Sequence, residues 1–139
     1  MWLYKDKKIV GINDMPKNTY GFIYEVTHIP SGKKYLGKKV LVFNRTLPPL
    51  KGKKRKRKVQ KESDWKTYYG SHKEIKNLLK ENKQDEFDRK ILQFVPTKKL
   101  LTYFECKYLF INEVLEHSEY INDNILAKFY RKDFHYDKN

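Results

Sequence analysis

From residue 20 to residue 43 the chain reads as two strands and a turn. Tyr20 to Thr27 is rich in aromatic and β-branched residues, Pro30-Ser31-Gly32 is a turn cluster, and Lys33 to Phe43 resumes an extended, partly alternating run. An antiparallel hairpin is predicted. Side chains alternate between faces along a strand, so Tyr24 and Tyr35 meet only if the register puts them on one face, which the sequence leaves open. Phe87 to Val95 reads as a third strand, stopped by Pro96. Leu100 to Leu115 has the longest helical period, with Leu101, Phe104, Tyr108, Ile111 and Leu115 as the inward stripe. Ser71 and Glu74 suit a capping box opening a second helix, whose Ile75, Leu78 and Leu79 share a face. Residues 1–18 form a lead-in that contains Pro16 and has room for a short strand. Residues 44–63 hold Pro48-Pro49 and little apolar content, which predicts a solvated, mobile basic loop. Two helices against a small antiparallel sheet make an α+β domain, with a third short helix expected near the C-terminus.

Composition narrows the partner. The 139 residues suit one domain, taken as 1–139, and hold 31 Lys and Arg against 17 Asp and Glu, a formal charge of +14. Lys51, Lys53, Lys54, Arg55, Lys56, Arg57 and Lys58 supply seven of those charges, and setting them aside leaves +7. A field spread over the whole body favours a polyanion, since each neutralised phosphate releases condensed counterions. No basic amphipathic helix with a broad apolar face is evident, so nucleic acid is preferred to a membrane. No run nears the ~20 apolar residues of a membrane span, and Met1-Trp2-Leu3-Tyr4-Lys5 lacks the apolar core of a signal peptide, so a cytoplasmic protein is expected. One cysteine, Cys106, forms neither an intramolecular disulfide nor a structural zinc site and reads as a packed helix residue.

The strongest pattern is Phe22-Ile23-Tyr24 followed by Tyr35-Leu36-Gly37, with Tyr35 eleven residues after Tyr24 and Arg45 eight after Gly37. Further along come Trp65-Lys66-Thr67-Tyr68-Tyr69-Gly70-Ser71, Glu105 in an apolar helix, and Asn122-Asp123-Asn124-Ile125. In order and spacing these segments resemble the GIY-YIG nuclease superfamily, especially its small phage-encoded, homing-endonuclease-like members. The resemblance runs from Tyr20 to Phe134. It implies a three-stranded antiparallel sheet flanked by helices and a Mg²⁺-dependent DNA endonuclease of homing or DNA-degrading type. Double-stranded DNA is the expected substrate, and the protein is expected to be a monomer or weak dimer.

Phosphodiester hydrolysis needs an activated water, a stabiliser for the crowded transition state and help for the leaving oxygen. The resemblance implies Tyr24 as general base or water-orienting phenol, with Tyr35 beside it. A phenol titrates near 10, so Tyr24 accepts a proton at neutral pH only if cationic neighbours, such as Lys38 or Lys39, or the metal favour its phenolate. The plainer alternative is that both tyrosines simply bury a ring. Arg45 sits where the family has its catalytic arginine, and a guanidinium holds two phosphate oxygens at once; the alternative is a solvated surface arginine. A carboxylate within Leu101 to Tyr108 is costly to bury without a partner, and a divalent cation is one that nuclease chemistry supplies. The resemblance places the family's metal-binding glutamate at Glu105, implying a single Mg²⁺, with Mn²⁺ as a substitute, that keeps several waters. The alternative pairs Glu105 with Lys107 or another lysine on the helix exterior. Asn124 matches an asparagine near the family's C-terminal end, with Asn122 the competing choice. His72 is a candidate phosphate contact or acid, and equally a surface residue. His28, His117 and His135 have no ligand spacing.

The pattern also departs from the family. Phe22 replaces the first motif glycine, although Gly21 is adjacent; Leu36 replaces isoleucine; and Pro49 stands where members often have histidine or tyrosine, a job open to Tyr68, Tyr69 or His72. The run from Lys51 to Lys58, with Lys38 and Lys39, is read as a DNA contact; a solvated charge run or an import-like signal are the alternatives for it. Phosphate contacts of this kind add affinity without sequence specificity. Two rival functions remain: a basic nucleic-acid-binding protein that keeps the fold without turnover, and an inhibitor acting on RNA or ribosomes.

Overall fold

Alternation along Gly21–His28 (β3) sorts its side chains onto two faces: Phe22, Tyr24 and Val26 on one, Gly21 and Ile23 on the other. The computed structural model describes residues 1–134, so His135 lies outside the described residues. Before β3 lie β1 (Trp2–Tyr4) and β2 (Lys7–Ile9); after it come β4 (Lys33–Val40), β5 (Val42–Leu47), β6 (Arg57–Glu62), α1 (Lys73–Lys80), β7 (Phe87–Val95), α2 (Lys98–Ile111), β8 (Asn124–Ile125) and β9 (Phe129–Tyr130). The main sheet runs β2-β1-β7-β3-β4 and is mixed, because β1 lies parallel to β7. This corrects the three-stranded expectation. The three foreseen strands are present, and residues 2–9 extend them as a second hairpin whose turn places Lys5 and Asp6 at φ 48° and 66°.

Both faces of the sheet are covered. On the front, Trp2, Phe22, Tyr24, Val26 and Ile91 pack with Trp65 and with Ile75 of α1. On the back, Ile23, Leu36 and Val95 pack against Leu101 and Leu109 of α2 and against Val114, Leu115, Tyr120 and Ile125. The pairing of β3 with β7 shifts between Ile23 and Tyr24, leaving Leu92 as an extra residue. That bulge lets Ile91 and Phe94 both join the front while Leu92 and Val95 join the back. Gly21 meets the need for a glycine beside Phe22: a Cβ there would lie 2.4 Å from the Lys39 carbonyl oxygen and 2.8 Å from Leu101.

Three local expectations change. Residues 44–63 are not an irregular loop; β5 and β6 pair antiparallel from Val42↔Glu62 to Leu47↔Arg57 as a separate two-stranded ribbon. Its root is fixed where Ser63 donates from its amide to the Leu41 carbonyl (2.8 Å) and from its hydroxyl to the Val40 carbonyl (2.6 Å). The cap of α1 is His72 rather than Ser71, with Nδ1 accepting from the Glu74 amide at 3.1 Å. The second helix stops at Ile111 because the chain turns through Asn112 and Glu113, the latter at φ 50°. Ile111 is therefore 66% exposed, and the buried stripe is Leu101 and Leu109, with Glu105 between them at the same four-residue spacing. Near the C-terminus there is a β8–β9 ribbon and a short 3₁₀ turn, Arg131–Phe134, in place of a third α-helix.

Candidate active site

The register joins the two motif tyrosines. Tyr24 pairs with Gly37 and Tyr35 with Val26, so both phenols leave the front face as diagonal neighbours, their ring centroids 6.4 Å apart. Two glycines make room for them. A Cβ on Gly37 would lie 2.6 Å from the Tyr24 hydroxyl, and one on Gly70, at φ +104°, would meet the Tyr35 ring at 3.0 Å. Tyr68 stands perpendicular to Tyr24 at 5.9 Å. Tyr24 is 1% exposed, and burial, then the neighbouring Tyr68 and Tyr35 phenols, push its hydroxyl well above the usual tyrosine value. Burial therefore favours the neutral phenol, which suits it to orient a neighbour, whereas a cation beside it would pull toward the phenolate. Burial also raises Tyr35, partly offset by its hydrogen bond to the Ser71 hydroxyl at 3.0 Å.

Strand β4 lies at the edge of the sheet, and its outward backbone groups are taken up in sequence. Lys34 exchanges hydrogen bonds with the Glu119 carbonyl (2.7 Å) and the Ile121 amide (2.8 Å). Leu36 is gripped at both groups by the Asn122 side chain, which accepts from its amide at 3.1 Å and donates to its carbonyl at 2.8 Å. The next outward amide, that of Lys38, faces the carboxylate of Glu105. This edge is where the front and back layers meet, and α2 delivers Glu105 to it from behind.

Glu105 has a side chain 20% exposed, and its nearest cation is the Lys38 ammonium at 3.8 Å. Lys38 itself donates to the Thr102 hydroxyl at 2.9 Å. Burial raises the Glu105 pKa above the usual carboxylate value, against the opposing pull of Lys38. Glu105 opens into a cleft of about 390 Å³ lined also by Tyr35, Ser71, His72, Asn122, Asp123 and Asn124. Accepting at Nδ1 leaves the His72 ring proton on Nε2, which lies 3.1 Å from a carboxylate oxygen of Asp123. Among the described residues no three His, Cys, Asp or Glu side chains form a metal cluster. The Glu105 carboxylate, with the Lys38 ammonium at 3.8 Å and an open polar cleft beside it, fits a Mg²⁺ ion that retains waters and takes further oxygens from a substrate.

The remaining predicted residues are spread more widely. Tyr24 lies behind the cleft rather than on its wall. Lys39 is 8% exposed, bonded to Asp64 at 2.6 Å and placed over the Tyr68 ring at 3.9 Å, so it braces the front face and presents no ammonium to a duplex. Arg45 lies on β5, exposed and opposite Val59, outside the cleft lining. Lys51, Lys53, Lys54, Arg55, Lys56, Arg57 and Lys58 are all exposed at the ribbon tip and the start of β6. Of the two asparagines, Asn122 is buried on β4, whereas Asn124 uses its side-chain oxygen to accept from the Ala127 amide at 3.0 Å and so closes the β8–β9 turn.

Sequence reasoning missed two positioning arginines. Arg89 on β7 is sandwiched between the Trp2 and Tyr69 rings and donates to the Lys66 and Tyr68 carbonyls at 3.0 and 2.9 Å, holding the segment that carries Tyr68, Gly70 and Ser71. Its signal was faint: an inward position in a strand pattern, occupied by a charge. Arg131 donates to the carbonyls of Val114, His117 and Asn122 at 2.7, 3.0 and 2.8 Å, fixing the segment that grips β4. Nothing in the sequence marked it.

A family described as "Putative endonuclease segE, GIY-YIG domain" matches residues 2–125, from the first strand through the segment that closes the cleft. No curated protein and no solved structure matches the chain.

Proposed function

The chain belongs to this GIY-YIG endonuclease family, and from that premise we propose a Mg²⁺-dependent DNA endonuclease whose chemistry is centred on Glu105 at the β4 edge. The observation that carries this reading is the meeting of Glu105, Tyr35, Ser71 and His72, drawn from three separate segments, on one open cleft. The substrate is double-stranded DNA. A homing or DNA-degrading role and a phage origin follow from the family resemblance alone.

Glu105 would hold the cation, in place of Lys38, whose ammonium sits at salt-bridge distance. The bound ion would supply charge neutralisation at the phosphate and acidify a water. The Tyr35–Ser71 hydroxyl pair orients the attacking water or a phosphate oxygen at the cleft wall. That water releases a proton to solvent as it forms the new P–O bond, the scissile P–O bond breaks, and the departing oxygen takes a proton. A water in the cleft supplies that proton, and His72, its ring oriented by Asp123, is a candidate phosphate contact on the same wall. Arg45 clamps the scissile phosphate as the ribbon seats on DNA. Tyr24 positions Tyr35 and the Gly37 backbone.

Supercoiled plasmid incubated with the protein tests this. Nicking or linearisation with Mg²⁺ or Mn²⁺, and none with EDTA, is the expected result. Salt-sensitive retention of plasmid with no cutting under any metal would favour the non-catalytic binding protein instead.

A further inference from the structure

The two faces of the β5–β6 ribbon carry different chemistry. Cross-strand pairs place Phe43, Arg45 and Leu47 with Lys61, Val59 and Arg57 on one face. That face looks back toward the domain: the Lys39 ammonium lies 5.2 Å from the Phe43 ring centroid, and Leu47 and Val59 are half-buried. Beyond the root of the ribbon, the other face presents Asn44 directly opposite Gln60, and Thr46 directly opposite Lys58, all four exposed. It carries no apolar side chain there. The tip beyond it is the densest positive charge in the chain.

We infer that this outward face reads base edges in the major groove of duplex DNA, so that the nuclease domain itself sets a preference for where it cuts. The inference rests on DNA being the substrate. Six-residue strands give a ribbon about 20 Å long at ~3.3 Å per residue, with strands ~4.8 Å apart. A major groove ~12 Å wide admits a two-stranded ribbon of that width, and the tip and flanking cations meet the phosphates on either side. The four side chains are those that discriminate bases there: carboxamides pair doubly with adenine, lysine binds guanine, and threonine contacts either. A-form duplex RNA has a major groove too narrow for the ribbon, so the surface selects DNA over RNA of equal length. Charge alone would not have suggested base readout; the cross-strand pairing of Asn44 with Gln60 does.

The test selects binders from a randomised DNA duplex pool with the full chain in EDTA, sequences the retained pool, and repeats the selection with two ribbon variants. The wild type enriches a short motif. Asn44→Ala with Gln60→Ala loses five-fold or more of that preference at one or two adjacent base pairs, with an unchanged salt dependence because no charge is removed. Thr46→Ala with Lys58→Met shifts the neighbouring position. Lys53→Ala with Lys54→Ala keeps the motif while the slope of log K against log salt becomes shallower by about 0.9 per charge removed. An unaltered motif in both ribbon-face variants, no motif in the wild type, or equal retention of duplex RNA would overturn the inference. Plasmid cutting is read separately: a selected motif without cutting overturns the nuclease reading alone, and cutting without a ribbon-dependent motif overturns this one alone.

Discussion

The cleft and the ribbon are opposite solutions to contact with the same polyanion. At the cleft each polar group is held by another: Leu36 by Asn122, Tyr35 by Ser71, His72 by both the α1 amide and Asp123. On the ribbon the cations are exposed on a two-stranded element anchored at its root. Catalysis rewards fixed geometry, because misplacing a reacting group by about 1 Å costs on the order of 10²-fold in rate. Nonspecific affinity rewards number of charges and tolerates loose geometry. Damage to the cleft should therefore appear as lost turnover, and damage to the ribbon as lost binding.

The largest effect is expected at Glu105. Glu105→Gln should lower the single-turnover cutting rate on the order of 10³-fold, comparable to removing a principal transition-state stabiliser, measured on supercoiled plasmid with Mg²⁺. The same variant should melt no lower than wild type. Because burial raises the folded-state pKa of Glu105, the folded protein binds this proton more tightly than the unfolded chain. Its contribution to stability is thus best at low pH and declines as pH rises through that raised value. Activity runs the other way: protonation of Glu105 competes with the cation, so cutting should fall as pH is lowered toward the carboxylate range, along a limb that moves to lower pH as Mg²⁺ is raised. A wild-type profile flat through that range would separate Glu105 from turnover.

Next is Arg45, a ribbon residue to which a role in turnover is assigned. Arg45→Ala should reduce cutting by about 10²-fold, similar to loss of one charged transition-state contact, and weaken duplex binding only by about one ionic contact. Equal losses in rate and affinity would make Arg45 an ordinary ribbon cation. Smaller again is the effect of Gly37→Ala, whose Cβ would meet the Tyr24 hydroxyl at 2.6 Å. Overpacking of this kind costs about 1–3 kcal/mol, read as a lowered denaturation midpoint together with slowed cutting. Asn122→Ala should destabilise by a similar amount, about 1–3 kcal/mol, since it strands two edge groups of β4, whereas Asn124→Ala should cost under about 1 kcal/mol. Chemical denaturation of the pair separates the asparagine that braces the cleft from the one that closes a turn.

The same contrast explains what could be read from the sequence. Strands β3, β4 and β7 announce themselves through aromatic and β-branched runs, and α2 through its apolar period. Glu105 stood out as a charge inside that period, and its place between Leu101 and Leu109 accounts for it. The resemblance named Tyr35, Glu105 and His72 as candidates, and only the fold shows that the three line one cleft. What stayed hidden depends on long-range hydrogen bonding: the Asn122 grip on Leu36, the Arg131 carbonyl cluster and the Arg89 sandwich have no local pattern. The first hairpin was obscured because its left-handed turn uses Lys5-Asp6 rather than a glycine pair. The ribbon was masked by charge: β6 reads Arg-Lys-Val-Gln-Lys-Glu, a composition that suggests a solvated loop, and only pairing with β5 makes it a strand. The sequence likewise shows lysines near Tyr24 but neither the burial of its ring nor that Lys39 is bonded to Asp64 and Lys38 to Thr102.

Cutting and binding measured side by side for wild type and Glu105→Gln, on the same supercoiled plasmid with Mg²⁺, test the central claim most directly. The account predicts that the wild type nicks or linearises the plasmid while Glu105→Gln does not, and that both bind the duplex with the same salt slope. A Glu105→Gln protein that cuts as fast as wild type, or a wild type that binds and never cuts, would contradict it.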